Sequence, residues 1–179
     1  MKSEMLLPKV LIPEAKIKER IHDLASEISF DYRGKDVTAI CVLKGSFVFF
    51  ADLIREIDLP MACEFMGLSS YGNKTTSSGE VKVTLDLTEP LSGKHVIIIE
   101  DIVDSGLTMQ YLLNNLNARK PASLKVCSLL FKPEQLKSDI KLDYVGFKLG
   151  SEFVVGYGLD HAGRYRQLPY IGVIENERH

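Results

Sequence analysis

Cysteine is scarce and scattered in this chain. Cys41, Cys63 and Cys127 are three among 179 residues, an odd number, far apart, each in an apolar stretch. That spacing disfavours disulfides and a zinc site, and three reduced, buried thiols are expected. Long apolar runs are missing too: none approaches the ~20 residues of a bilayer-spanning helix. The opening MKSEMLLPKVLIP carries an acid and two prolines where a signal peptide needs an unbroken apolar core, so a cytoplasmic location without a membrane role is expected. Neither sign of charge dominates, and a formal net charge of −2 argues against nucleic-acid binding as the main task. The familiar nucleotide motifs are absent. Without G-x-x-x-x-G-K-[ST] there is no triphosphate P-loop, and without G-x-G-x-x-G after the first strand a dinucleotide fold is disfavoured.

What is present is an ordinary globular composition, 45% hydrophobic and 26% charged. The length suits one well-cored domain over residues 1–179. Pro13–Ser29 reads as an amphipathic helix, with Ile17, Ile21, Leu24, Ala25 and Ile28 on one face. Val37–Leu43 reads as a buried strand, and Ser46 as the cap of a helix over Phe47–Ile57. Further strands are expected at Ala62–Leu68, Val81–Leu87, Val96–Glu100, Ser123–Phe131, Tyr144–Lys148, Phe153–Tyr157 and Tyr170–Ile174. The alternation of strands and helices implies an α/β fold with a mostly parallel central sheet flanked by helices. Ser69–Gly79, SSYGNKTTSSG, is polar and aperiodic, which predicts a flexible loop over about residues 69–80.

The most informative stretch is Val96–Met109, VIIIEDIVDSGLTM. A β-branched run meets two adjacent carboxylates, then a small-residue turn, then a helix-like segment from Met109. The carboxyl end of a buried parallel strand followed by a helix N-terminus is an anion site in an open α/β sheet. The plainer reading makes Asp104 and Ser105 helix caps. Capping leaves Glu100 and Asp101 unexplained, because paired carboxylates in an apolar strand need a metal or a hydroxylated ligand. A site that takes both phosphate and hydroxyls takes a phosphorylated sugar.

This stretch resembles the 5-phosphoribosyl-1-pyrophosphate (PRPP) signature of the type I phosphoribosyltransferases, and its Glu-Asp opening and Asp-Ser-Gly turn are similar to the 6-oxopurine branch. Other segments resemble that branch in the same order: LKGS at Leu43–Ser46, SSYG at Ser69–Gly72, LLFKP at Leu129–Pro133 and EFVVGYGLDHAGRYRQLPYIGV at Glu152–Val173. The resemblance implies a type I phosphoribosyltransferase fold with a small hood, built mainly from the N-terminal segment and about residues 150–179, and a lid loop. It implies a Mg²⁺-dependent purine-salvage transferase that moves the phosphoribosyl group of PRPP onto hypoxanthine or guanine and assembles as a homodimer or homotetramer.

The resemblance also implies roles. Glu100 and Asp101 hold the ribose hydroxyls and a Mg²⁺, with Asp160 a ligand of a second Mg²⁺; a metal that favours few carboxylates, waters and phosphate oxygens suits this use. Asp104 is the general base near the purine. Ser105, Gly106, Leu107 and Thr108 cradle the 5′-phosphate, Leu107 standing where vertebrate-like members have lysine. Lys44 and Gly45 meet the pyrophosphate through backbone groups, after a cis peptide between Leu43 and Lys44, and Arg166 adds a cationic fork. Lys132 donates to the purine 6-oxo group, Phe153 stacks on the ring and Val154 offers backbone groups to its edge. Ser70 and Tyr71 belong to the lid. Two alternatives stay open: a PRPP-sensing regulatory protein of the same fold, and a transferase for adenine or a pyrimidine.

Overall fold

The computed structural model describes residues 7–70 and 81–174. Its centre is a six-stranded sheet made of β2 (Val37–Leu43), β3 (Met61–Ser70), β4 (Val81–Leu85), β5 (His95–Val103), β6 (Ser123–Phe131) and β7 (Tyr144–Lys148), in the order β4-β3-β2-β5-β6-β7. Every neighbouring pair is parallel except β3 with the edge strand β4. A second, antiparallel sheet joins β1 (Lys9–Ile12), β8 (Val154–Val155) and β9 (Ile171–Val173) in the order β1-β9-β8.

Helices α1 (Glu14–Asp31) and α2 (Phe47–Glu56) cover one face of the central sheet and α3 (Leu107–Asn117) the other. The predicted apolar stripe of α1 is buried in full. Strand β2 is buried on both faces, as a central parallel strand must be. Alternation in β5 then divides its side chains: Ile97 and Ile99 pack with α1 and α2, and Val96 and Ile98 with α3. Strand order reverses between β2 and β5, since β2 connects through α2 to β3 on one side and β5 through α3 to β6 on the other. In open α/β sheets that reversal opens a crevice at the carboxyl ends of the strands.

Four expectations need correction. Strand β5 does not stop at Glu100: Ile102 and Val103 still pair with Leu130 and Phe131 of β6, so the acidic pair lies inside the strand. On the other side the ladder to β2 ends at Cys41–Ile99, and the sheet parts beside the acids. Ser46 stands at the N-cap of α2 without a side-chain cap bond; its hydroxyl donates back to the Val42 carbonyl instead. Cys63, near the start of β3, is exposed rather than buried. Finally, Lys9–Ile12 forms a strand ahead of α1, stabilised by pairing with a distant segment, and β8 and β9 are shorter than their apolar runs.

Candidate active site

Period-two geometry splits the acidic pair. Glu100 shares the sheet face of Ile98 and lines a small cavity of about 120 Å³ with Asp104, Ser105, Gly106 and Thr108. Asp101 points to the opposite face and lines a second cavity of about 250 Å³ with Asp104, Lys132, Phe153, Val154 and Asp160. Ile102 and Asp104 line both. One short strand end therefore serves two compartments.

The first compartment is the phosphate turn. Gly106 is the N-cap of α3 in the left-handed region at φ 77°, and none of the turn side chains caps the helix. The Leu107 amide makes only a long bond to the Ser105 hydroxyl, at 3.5 Å, which an anion at the start of α3 could replace. A side chain at Gly106 would come within 2.2 Å of Ser138 Oγ and 2.7 Å of Leu136 Cδ1, so glycine is required by both conformation and space. Leu107 is exposed and opens α3 without lining either cavity.

Glu100 is buried, and burial together with the negative charge of Asp101 holds its carboxyl well above the usual range. Burial raises Asp101 as well, opposed by its hydrogen bond with Glu100, by the backbone amides and by Arg166. Beyond the bond they share, the two carboxyls accept from the amides of Asp101 and Ile102. A divalent cation with its own waters would favour both ionised forms, so the donor set fits Mg²⁺. Among the described residues no group of three or more His, Cys, Asp or Glu is placed to hold a metal ion.

Lys44 itself is exposed, and the Leu43–Lys44 peptide is cis. Gly45 lies flat against the acid pair: a Cβ there would sit 1.6 Å from Asp101 Oδ2, and one on Gly158 would sit 2.1 Å from the Gly45 carbonyl oxygen. Arg166 closes this side, its guanidinium donating to the Gly158 carbonyl at 2.6 Å and pairing with Asp160 at 2.7 Å. Three segments remote in sequence thereby meet at Asp101.

In the second compartment Lys132 is buried, with Nζ 3.8 Å from Asp104 Oδ2. That separation exceeds a hydrogen bond, so the ammonium keeps donors for a ligand. Phe153 is 52% exposed and meets the His161 ring edge-on at 5.5 Å. Val154 is buried in β8. Tyr71 and the side chain of Ser70 lie outside the described residues. Sequence reasoning missed Gln135, whose side-chain amide faces the Asp104 carboxylate; nothing in its local pattern marks it.

Residues 13–162 match the family model of the phosphoribosyl transferase domain. The fold, the phosphate turn and this match place the chain among the phosphoribosyltransferases. The chain is 50% identical over 169 residues to the hypoxanthine-guanine phosphoribosyltransferase of Bacillus subtilis, covering 94% of each, and 47% identical over 173 residues to that of Dictyostelium discoideum, covering 94% of this chain and 96% of the relative. A crystal structure of a hypoxanthine-guanine phosphoribosyltransferase from Bacillus anthracis superposes with a TM-score of 0.91 at 45% identity, over 95% of this chain and all of the other. The chain belongs to the hypoxanthine-guanine phosphoribosyltransferases, enzymes of purine salvage.

Proposed function

We propose that the two cavities are the substrate half-sites of one transfer, from PRPP to hypoxanthine or guanine, giving IMP or GMP and pyrophosphate. The observation that carries this reading is the buried Lys132 facing Asp104 across a cavity that adjoins the phosphate turn. A 6-oxopurine offers an acceptor to Lys132 and a ring N–H to Asp104. Adenine presents an amino donor to Lys132 instead and loses the match.

Ser105, Gly106, Thr108 and the amides opening α3 hold the 5′-phosphate, with Leu107 contributing backbone alone. Glu100 and Asp101 hold the ribose hydroxyls. Lys44 and Gly45 offer backbone groups to the pyrophosphate, and Arg166 places its positive fork there. Phe153 stacks on the purine while Val154 meets its edge. As the bond from ribose to pyrophosphate breaks and the bond to the purine nitrogen forms, Asp104 takes the ring proton. Glu100 and Asp101 would hold one Mg²⁺ and Asp160 a second, and the ions would supply charge neutralisation at the pyrophosphate. The β1-β9-β8 sheet serves as the hood, and Ser70 and Tyr71 as part of a lid that excludes water. The enzyme works as a homodimer or homotetramer in the cytoplasm; no helix among the described residues is long and apolar enough to cross a membrane.

The test is a steady-state assay with PRPP and each purine base in turn, with and without Mg²⁺. IMP and GMP form, AMP forms far more slowly, and chelation stops turnover. Equal rates with adenine, or full activity in chelator, would reject the reading.

A further inference from the structure

Asp104 is half exposed, and an aspartate at the mouth of a cavity has rotamers to choose from. The structure supplies a partner that restricts that choice. The side-chain amide of Gln135 faces the Asp104 carboxylate, and an amide oxygen there would meet acceptors alone, so the nitrogen points inward. In that orientation it donates to Oδ2 at 3.0 Å and also to Oδ1. Lys132 Nζ approaches the same Oδ2 at 3.8 Å. Of the other charged groups, Asp101 and Asp160 line the same cavity and Glu100 the adjoining one, and Arg166 is engaged by Asp160.

The backbone fixes Gln135 relative to Asp104. Gln135 ends a 3-10 turn (Pro133–Gln135), and its own amide donates to the Lys132 carbonyl at 3.1 Å. The Lys132 amide donates to the Val103 carbonyl at 3.0 Å, and the Lys137 amide to the Ser105 carbonyl at 2.9 Å. The segment carrying Gln135 is therefore fastened to the residues on both sides of Asp104. A neutral donor in this place holds the carboxylate without competing for its charge, as a second cation would.

We propose that Gln135 is a positioning residue: it keeps Asp104 aimed at the purine ring nitrogen when Lys132 turns to the purine oxygen. The proposal rests on the reading of Asp104 as general base. Gln135→Met keeps the length and removes the donor; Gln135→Glu keeps the shape and adds repulsion. The measurement is the single-turnover rate with PRPP, Mg²⁺ and hypoxanthine, which slow product release does not mask, together with both KM values and Tm.

The expected single-turnover rates fall in the order Gln, Met, Glu, by about tenfold and then further, as loss of a charge-assisted hydrogen bond implies. The KM for PRPP and Tm stay near wild type. Met and Glu variants with wild-type single-turnover rates overturn the proposal, as do losses that track Tm alone. Asp104→Ala is measured beside them: if it keeps the wild-type rate, the base assignment fails, whereas a slow Asp104→Ala with normal Gln135 variants sinks only the role of Gln135.

Discussion

The proposed phosphate turn and the proposed purine cavity differ in how the chain builds them. The turn comes from one stretch, Glu100 to Met109, and among the described residues its cavity is lined by that stretch alone. The purine cavity draws on Asp101 to Asp104, Lys132, Phe153 to Val154 and Leu159 to Asp160, four segments brought together by two sheets. A phosphate asks for backbone donors and a helix end, which one strand-turn-helix supplies. A flat heterocycle asks for a stacking face, an edge and a directed donor, which no single turn supplies. Asp104 and Ile102 line both cavities, so the comparison predicts three kinds of variant: those that damage PRPP use, those that damage purine use, and one that damages their joining.

The joining residue carries the largest effect. Asp104→Ala lowers kcat by about 10²- to 10⁴-fold, the usual contribution of a positioned general base, and leaves the KM for PRPP within a few-fold. Steady-state kinetics with PRPP varied at saturating hypoxanthine check this. An equal loss in kcat and PRPP affinity would assign Asp104 to the phosphate turn alone and dissolve the distinction.

The same contrast explains what could be read from sequence. Val96 to Met109 shows its strand, turn and helix in order, and the stripe Ile17 to Ile28 shows its buried face, because both signals are local. The division of Glu100 from Asp101 between two compartments depends on β5 continuing to Val103. Ile102 and Val103 carry that strand signal, but the pairing with β6 that realises it is tertiary. Strand β1 is invisible because its partner β9 lies at the other end of the chain. Lys132, Phe153, Val154 and Arg166 enter the proposed site only through family resemblance, since a lysine after a strand or an aromatic beside a valine has many plainer explanations. Gln135 belongs to neither class: its meaning comes from the 3-10 turn that aims it at Asp104.

Lys132→Ala tests the purine half with the next largest effect. Removing a charged donor from a buried site weakens use of a 6-oxopurine by about 10- to 100-fold in kcat/KM. The loss for adenine is smaller, so discrimination narrows. Competition between hypoxanthine and adenine at fixed PRPP measures it, and unchanged selectivity would move the specificity element elsewhere. On the phosphate side, Gly106→Ala places a Cβ at φ 77°, against Ser138 and Leu136. A left-handed conformation costs an L-residue about 1–2 kcal/mol, so the turn relaxes: the KM for PRPP rises about tenfold, Tm falls by several degrees, and purine selectivity is unchanged. A selectivity change in Gly106→Ala would show that the two halves are mechanically one.

The smallest effect tests how finely the purine half is arranged. Phe153 is half exposed, and the stacking proposed for it needs something to hold the ring's plane. His161 does so in an edge-on contact at 5.5 Å, the geometry that aromatic quadrupoles favour, worth about 0.5–1.5 kcal/mol. His161→Leu keeps apolar bulk beside the ring and removes the edge. The KM for hypoxanthine therefore rises by about two- to tenfold, while the KM for PRPP and the single-turnover rate at saturating purine hold. His161→Phe, which restores an aromatic edge, returns the purine KM toward wild type. If both variants raise the PRPP KM instead, the effect runs through the neighbouring Asp160 and the Arg166 fork, and the boundary between the two halves lies on the far side of residue 161.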